Sequence, residues 1–257
     1  MEMLVYDFET TGFSWAHNEI IEVAAAKVDE NFNVLETYDS LIKPEKPIPE
    51  EITKVTGIKN DTVRNAKGAR EVMQEFRKFC DKHIMIAHNG LFFDAPFYYS
   101  QLRRCQLGLP DNVMWDSLHI AKYYATKAKK HNMKYLCEFY NIKQESAHRA
   151  LSDVKDLCKL LQIWREKHTL EQMEAAAKPC ELKSLETFRC RLPFTLSKFA
   201  SAKKFCRVKG QVKGVVREVS ARPIFAFKKK KEAFFLVREE GGDRIEIAID
   251  GLEVIDE

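Results

Sequence analysis

Met3-Leu4-Val5-Tyr6-Asp7-Phe8-Glu9-Thr10-Thr11-Gly12 reads as an opening strand that ends in two acids. Its apolar residues include aromatic and β-branched types, and Thr10, Thr11 and Gly12 punctuate its end. Side chains two apart on a strand share a face, so Asp7 and Glu9 project together with Val5. Adjacent carboxylates repel, and on a central strand they are poorly solvated, which makes a bound cation one remedy. The other reading is an edge strand with both acids in water, since acids are mostly exposed. The pair alone leaves both open.

Outward from that strand, Ile20–Val28 and Val34–Ile42 read as two more, and the polar turn Asp29-Glu30-Asn31 makes them antiparallel neighbours. After Pro44, Pro47 and Pro49 the pattern turns helical, first at Glu50–Val55 and then at Ala69–Cys80, where Val72, Phe76 and Phe79 recur at helical spacing. Ile84-Met85-Ile86-Ala87 is a buried strand, followed by a helix from Asp94 to Cys105 and an extended piece at Val113–Trp115. Helices dominate from Asp116 to about Ala177. Strands joined by tight turns, then strands alternating with helices, predict an α/β fold: a mixed sheet covered by helices. From Arg207 onward the period becomes two, with Val208, Val212 and Val216 on one side and Arg207, Lys209, Lys213 and Arg217 on the other. Phe225, Phe227, Phe234 to Val237 and Ile245, Ile247 and Ile249 extend this β pattern. A boundary near Lys178-Pro179 gives a first domain over 1–177, then a basic connector and small β-rich accessory domain over 178–257.

With 257 residues, 45% hydrophobic and 31% charged, the chain has the composition of a soluble globular protein of one or two domains. No apolar run approaches the roughly 18 residues a membrane helix needs. The N-terminus lacks a basic segment followed by an apolar stretch, so no secretory signal is read and a cytoplasmic location is expected. The seven cysteines are odd in number, irregularly spaced and never paired as C-x-x-C, which argues for reduced thiols and against zinc. Cys80, Cys105 and Cys158 fit buried apolar positions. Charge is uneven: residues 178–237 carry 16 basic against 4 acidic side chains, 238–257 carry 2 against 8, and 1–177 carry 24 against 26. Positive charge concentrated in one stretch suits a polyanionic partner.

Three further residues draw attention. Asp94 opens a helix with Pro96 in its first turn, where capping is the ordinary role of an aspartate. Asp153 falls on the helical stripe of Leu157, Leu160 and Trp164, and an acid on an apolar arc needs a partner: a salt bridge, a metal or a remote cation. Lys155 and Lys159 point to the other side of that helix. His148 precedes it, and a lone histidine is usually structural or exposed rather than functional.

In order, Asp7-Phe8-Glu9-Thr10-Thr11-Gly12, Asn89-Gly90-Leu91-Phe92-Phe93-Asp94 and His148-Arg149-Ala150-Leu151-Ser152-Asp153 resemble the three motifs of the DEDD exonuclease superfamily. The H-x-A-x-x-D form of the third resembles the DEDDh branch, which includes proofreading subunits of bacterial replicative polymerases, ribonuclease T, oligoribonuclease and exonuclease X. The likeness covers residues 3–166 and extends to Trp115-Asp116-Ser117-Leu118 and to Pro49-Glu50-Glu51 through Thr56-Gly57-Ile58. Five positions separate Asn89 from Asp94, one more than in many close relatives.

The resemblance implies a ribonuclease H-like mixed five-stranded sheet flanked by helices. It implies a 3′-5′ exonuclease that releases nucleoside 5′-monophosphates with two Mg²⁺ or Mn²⁺ ions, held by Asp7, Glu9, Asp94 and Asp153, with His148 as general base. Oxygen-only ligands suit such hard ions, and two of them about 3.5–4 Å apart stabilise both attacking and leaving oxygens. Thr10, Thr11, Gly12, Phe13 and Asn89 are the implied contacts to the terminal nucleotide; for Phe13, stacking on a base and packing on the core both stay open. The expected partner is single-stranded or 3′-ended nucleic acid, DNA favoured over RNA, in repair, processing or proofreading. A polymerase or another replication or repair protein is a candidate partner, and a membrane is not. RNA trimming, or a nonenzymatic binding or docking role, are the alternatives. In the accessory domain the phenylalanines are expected inside, and the run Lys228 to Lys231 in a solvated turn.

Overall fold

The computed structural model describes residues 1–257 apart from Ala16, 145–148, 182–204, 230–231, 249–251 and Glu257. The chain divides into two compact units, Met1–Glu181 and Leu182–Glu257.

The first unit runs β1 (Met3–Thr10), β2 (Ile20–Val28), β3 (Val34–Lys43), α1 (Glu50–Thr56), α2 (Asn60–Val63), β4 (Lys67–Gly68), α3 (Ala69–Cys80), β5 (Ile84–Ala87), α4 (Asp94–Arg104), β6 (Val113–Asp116), α5 (Ser117–Tyr124), α6 (Met133–Phe139), α7 (Ala150–Arg165), α8 (Leu170–Ala177) and β7 (Cys180–Glu181). The sheet order is β4-β3-β2-β1-β5-β6-β7. The five strands expected from sequence form its body, and the two-residue β4 and β7 extend its edges. Without a helical crossover between them, β1, β2 and β3 are antiparallel neighbours, joined through 11–19 and the tighter turn 29–33, whereas the helical crossovers before β5 and β6 make those strands parallel to β1. The four-residue α2 is too short to leave a helical period in the sequence.

Alternation on β1 divides the core. Met3 and Val5, with Ala24, Ala26 and Val28 of β2, lie beneath Leu157, Leu160, Leu161 and Trp164 of α7. The opposite face carries Tyr6 and Phe8; both rings meet Phe76 of α3, and Phe8 also meets Tyr98 of α4, at centroid distances of 5.5–6.2 Å. Each such ring pair contributes about 0.5–1.5 kcal/mol beyond its buried area. β1 is thus a central strand with a helix layer on each side, which removes the wet-edge reading of its acids.

The second unit contains β8 (Cys206–Val212), β9 (Val215–Lys229), β10 (Glu232–Glu239), β11 (Arg244–Ala248) and β12 (Glu253–Asp256), ordered β11-β10-β9-β8-β12. Along β8 the expected alternation holds, with Cys206, Val208 and Val212 buried and Arg207 and Lys209 exposed. Val216 departs from it. Lys213 and Gly214, both at positive φ, reverse the chain and set Val216 opposite Gln211, on the outward face, where it is 57% exposed. A period-two count that runs through a turn loses its register there. Phe235, Val237 and Ile247 are fully buried. A Cβ on Gly210 of β8 would lie 2.6 Å from Ile247 of β11, so strands three places apart in the order touch and the sheet curls on itself. Residues 182–204, Lys230, Lys231 and Ile249, and the side chains of Phe225, Phe227, Phe234, Lys228 and Lys229, lie outside the described residues.

Among the described residues no helix is long and apolar enough to cross a membrane. Cys80, Cys105, Cys137 and Cys158 are buried free thiols.

Candidate active site

Pairing of β1 with β5 stops at Val5, opposite Ile86. Beyond that point β1 continues without β5 beside it while the chain leaves β5 for α4, at the carboxyl ends of the parallel strands, the usual site position in such sheets. Asp7 and Glu9 lie on this stretch. Asp153, in the first turn of α7, joins them from above, and one carboxylate oxygen from each of the three lies within 4.8 Å of the others. All three are half-buried.

The electrostatics of the cluster are unfavourable without a counter-ion. Burial, then the charges of Asp94, Glu9 and Asp153, push the Asp7 carboxyl well above its ordinary range. Burial, then Asp153 and Glu22, raise Glu9 to about 8, opposed by the Arg149 guanidinium. Asp94 is buried at the start of α4, just after the N-cap Phe93, so it is not the cap. Its pKa is raised, first by burial and then by Asp116. One of its oxygens, Oδ1, is buried without a hydrogen-bond partner. Three converging carboxylates beside a buried unsatisfied oxygen form an all-oxygen donor set, and a hard divalent cation fits it.

Two braces hold these acids, and the bracing role of neither is legible in the sequence. Glu22 on β2 stands directly opposite Glu9, 4% exposed. Its Oε1 accepts from Arg149 Nη2 at 2.7 Å and Nε at 3.1 Å, and its Oε2 from the Ala150 backbone N–H at 3.0 Å. A carboxylate thus meets the N-terminus of α7, where the helix dipole favours negative charge, and pins the turn that carries Asp153. The signal was present: Glu22 is the one charge in Ile20-Ile21-Glu22-Val23-Ala24-Ala25-Ala26. The second brace is Asp116, fully buried at the end of β6. Its Oδ1 accepts from the N–H groups of Asn89 and Leu118, both at 2.9 Å, and its Oδ2 from that of Leu91 at 3.2 Å. It therefore caps α5 and fixes the 88–93 loop at once; Asn89 turns that loop with φ of 62°. Burial lifts Asp116 to about 6 despite these three donors. Asp153 is not the most buried acid of α7: that is Asp156, 2% exposed and paired with Lys159 at 3.0 Å and Gln144 at 3.2 Å.

Thr10 and Thr11 are buried and spend their hydroxyls locally, on the Gly12 carbonyl at 2.7 Å and the Glu19 N–H at 3.0 Å. Gly12 has φ of 155°, and a Cβ there would meet the Asn18 side chain at 2.8 Å. Asn18 ties the loop across, to the Thr11 carbonyl and the Ser14 N–H. From this braced loop Phe13 stands 87% exposed, so it does not pack on the core. His148 lies outside the described residues.

A central strand with paired acids, a mixed sheet opening at its parallel ends and a helix delivering another acid define the ribonuclease H-like exonuclease fold. The RNase_T family model, described as exonuclease, matches residues 4–161, and the chain belongs to that family, within the DEDD superfamily. It is 34% identical over 154 residues, 60% of its length, to a DNA polymerase III PolC-type protein of Caldanaerobacter subterraneus subsp. tengcongensis, of which it spans 11%. Among solved structures, E. coli exonuclease I in complex with a dA16 oligonucleotide matches with a TM-score of 0.62 and 15% identity over 99% of this chain and 63% of that one. Exonuclease X in complex with 5′ overhanging duplex DNA matches at 0.54 and 20% identity, over 68% of this chain and 99% of that one.

Proposed function

We propose that this protein is a 3′-5′ exonuclease that removes nucleoside 5′-monophosphates from DNA ends with divalent metal ions. The observation that carries this reading is the convergence of Asp7, Glu9 and Asp153, with ligand oxygens within 4.8 Å, in a chain of the exonuclease family. Asp7, Glu9 and Asp153, with Asp94 beside them, would hold Mg²⁺ or Mn²⁺. When bound, a pair of such ions supplies Lewis-acid stabilisation of the charge that develops on the phosphate.

The protein's own groups do the rest. His148 takes a proton from the attacking water, a task suited to an unperturbed pKa of about 6.5. As water bonds to phosphorus, the bond to the 3′ oxygen of the preceding nucleotide breaks, and that oxygen acquires a proton. Phe13, 87% exposed on a braced loop, offers a stacking face to the terminal base. The turn of Gly12, with Thr10, Thr11 and Asn89, shapes the floor beneath it. Basic residues of 178–257 would add sequence-independent affinity as an accessory domain. DNA is favoured because the 34%-identical relative is a DNA polymerase.

The test is digestion of end-labelled single- and double-stranded DNA and RNA with Mg²⁺ or Mn²⁺, with Asp7→Ala as control. Shortening from the 3′ end that Asp7→Ala abolishes is expected, with DNA cut faster. Equal cleavage by the variant would refute the reading, and a faster RNA reaction would replace DNA with RNA. His148→Ala is expected to slow hydrolysis by orders of magnitude while metal binding persists; an unchanged rate removes His148 from the mechanism.

A further inference from the structure

A concavity of about 720 Å³, lined by none of the clustered carboxylates, lies between α5 and α8. That is within the range of small-molecule sites. Its character is unlike that of the acidic cluster. Lys122 and Lys178 line it, both exposed, and no carboxylate does. One wall is the ring pair Tyr124 and His168, stacked at 3.6 Å and 17°. Tyr123 beside it is 68% exposed, a large aromatic that the core does not use. Ala175 and Ala176 of α8 leave the floor open. His119, also in the lining, meets Phe92 edge-on at 6.0 Å, and Phe92 belongs to the loop that ends in Asp94. One end of the groove is therefore joined to the loop that builds the proposed catalytic site.

Flat aromatic surface beside two exposed ammonium groups, with room for a planar guest, matches one ligand chemistry: a base with a phosphate attached. The rings take the base by stacking, which tolerates any sequence, and the lysines take the phosphates. We propose that the α5/α8 groove binds a nucleotide unit, either of the strand being shortened or of the released mononucleotide. The inference rests on the nuclease reading for its substrate but not for its test.

Lys122→Gln, Tyr123→Ser and Lys178→Gln together alter exposed side chains outside the catalytic machinery, and a thermal melt checks that the fold is kept. In the full chain carrying Asp7→Ala, so that DNA survives, binding of fluorescent dT12 and dT2 is measured by anisotropy across salt, and binding of dTMP by calorimetry. A strand site predicts dT12 binding weakened about 5- to 150-fold for a lost stacked base, with dT2 unchanged. The salt slope should fall by about 0.7 for each phosphate contact removed. A product site instead predicts dTMP binding that the triple variant loses, with dT12 unchanged. Equal affinities and salt slopes in both proteins, with dTMP binding absent or unaltered, overturn the proposal. Cleavage by protein with Asp7 intact is scored separately: a protein that binds dT12 yet cuts nothing sinks the nuclease reading, while the groove is judged on binding alone.

Discussion

Glu9→Gln should make the metal-free protein more stable at neutral and alkaline pH while removing a metal ligand. Glu9 moves from its ordinary 4.5 to about 8 on folding, chiefly through burial and then through Asp153 and Glu22. The folded state therefore keeps a proton that the unfolded chain releases, and stability falls as pH rises from about 4.5 to about 8. At 1.36 kcal/mol per tenfold change in proton affinity the full effect is about 5 kcal/mol. Glu9 is half-buried, and solvent screening reduces this to about 2–4 kcal/mol. His88 acts in the opposite sense: burial lowers it to about 4, so its contribution grows as pH rises toward 6.5. Comparing wild type with Glu9→Gln cancels that background. The assay is urea unfolding in EDTA at pH 5 and pH 8.5. The two proteins should nearly coincide at pH 5, and the variant should be more stable by about 2–4 kcal/mol at pH 8.5. Mg²⁺ at a hundred times its Kd should restore about 2.7 kcal/mol to the wild type and less to the variant. A pH-independent difference between the two would refute the account of the cluster as a repulsive set awaiting a cation.

Arg149→Ala strips Glu22 of its guanidinium while leaving the Ala150 N–H bond, and with Arg149 half-exposed the loss should be about 1–3 kcal/mol, read as a lower Tm, with Arg149→Lys recovering only part. Phe13→Ala should leave Tm unchanged, since the ring is 87% exposed, but weaken capture of the DNA end, read as a several-fold higher KM; an unaltered KM would remove its stacking role. Gly210→Ala drives a methyl into Ile247 at 2.6 Å and should destabilise the second unit by about 1–3 kcal/mol, checked by hydrogen exchange, which should leave the amides of β1 and β5 unaffected.

The first unit was legible where periodicity is strong. Ile20–Val28, Ala69–Cys80 and Ile84–Ala87 begin and end where their apolar patterns do, because each buries a continuous face. Local pattern is silent where geometry depends on a distant neighbour. Glu22 looks like a stray charge until β2 is set against β1 and α7 is laid across both. Asp116 reads as a helix start, and nothing local says that the same carboxylate also holds the loop before Asp94. Asp153 lies on an apolar stripe, yet α7 buries Asp156 more deeply, because Lys159 and Gln144 reach it there. In the second unit, the turn at Lys213-Gly214 shifts the pattern that put Val216 inside.

The proposed site is built from the two ends of its unit. β1 brings a pair of acids before the rest of the unit is made, but Asp153 arrives on α7 and is seated only when Arg149 and Ala150 close on Glu22. A nascent or partly unfolded chain has the acids without their convergence. Hydrolysis then becomes a property of the finished fold, and a cell making this protein is exposed to it only once α7 has docked over the sheet.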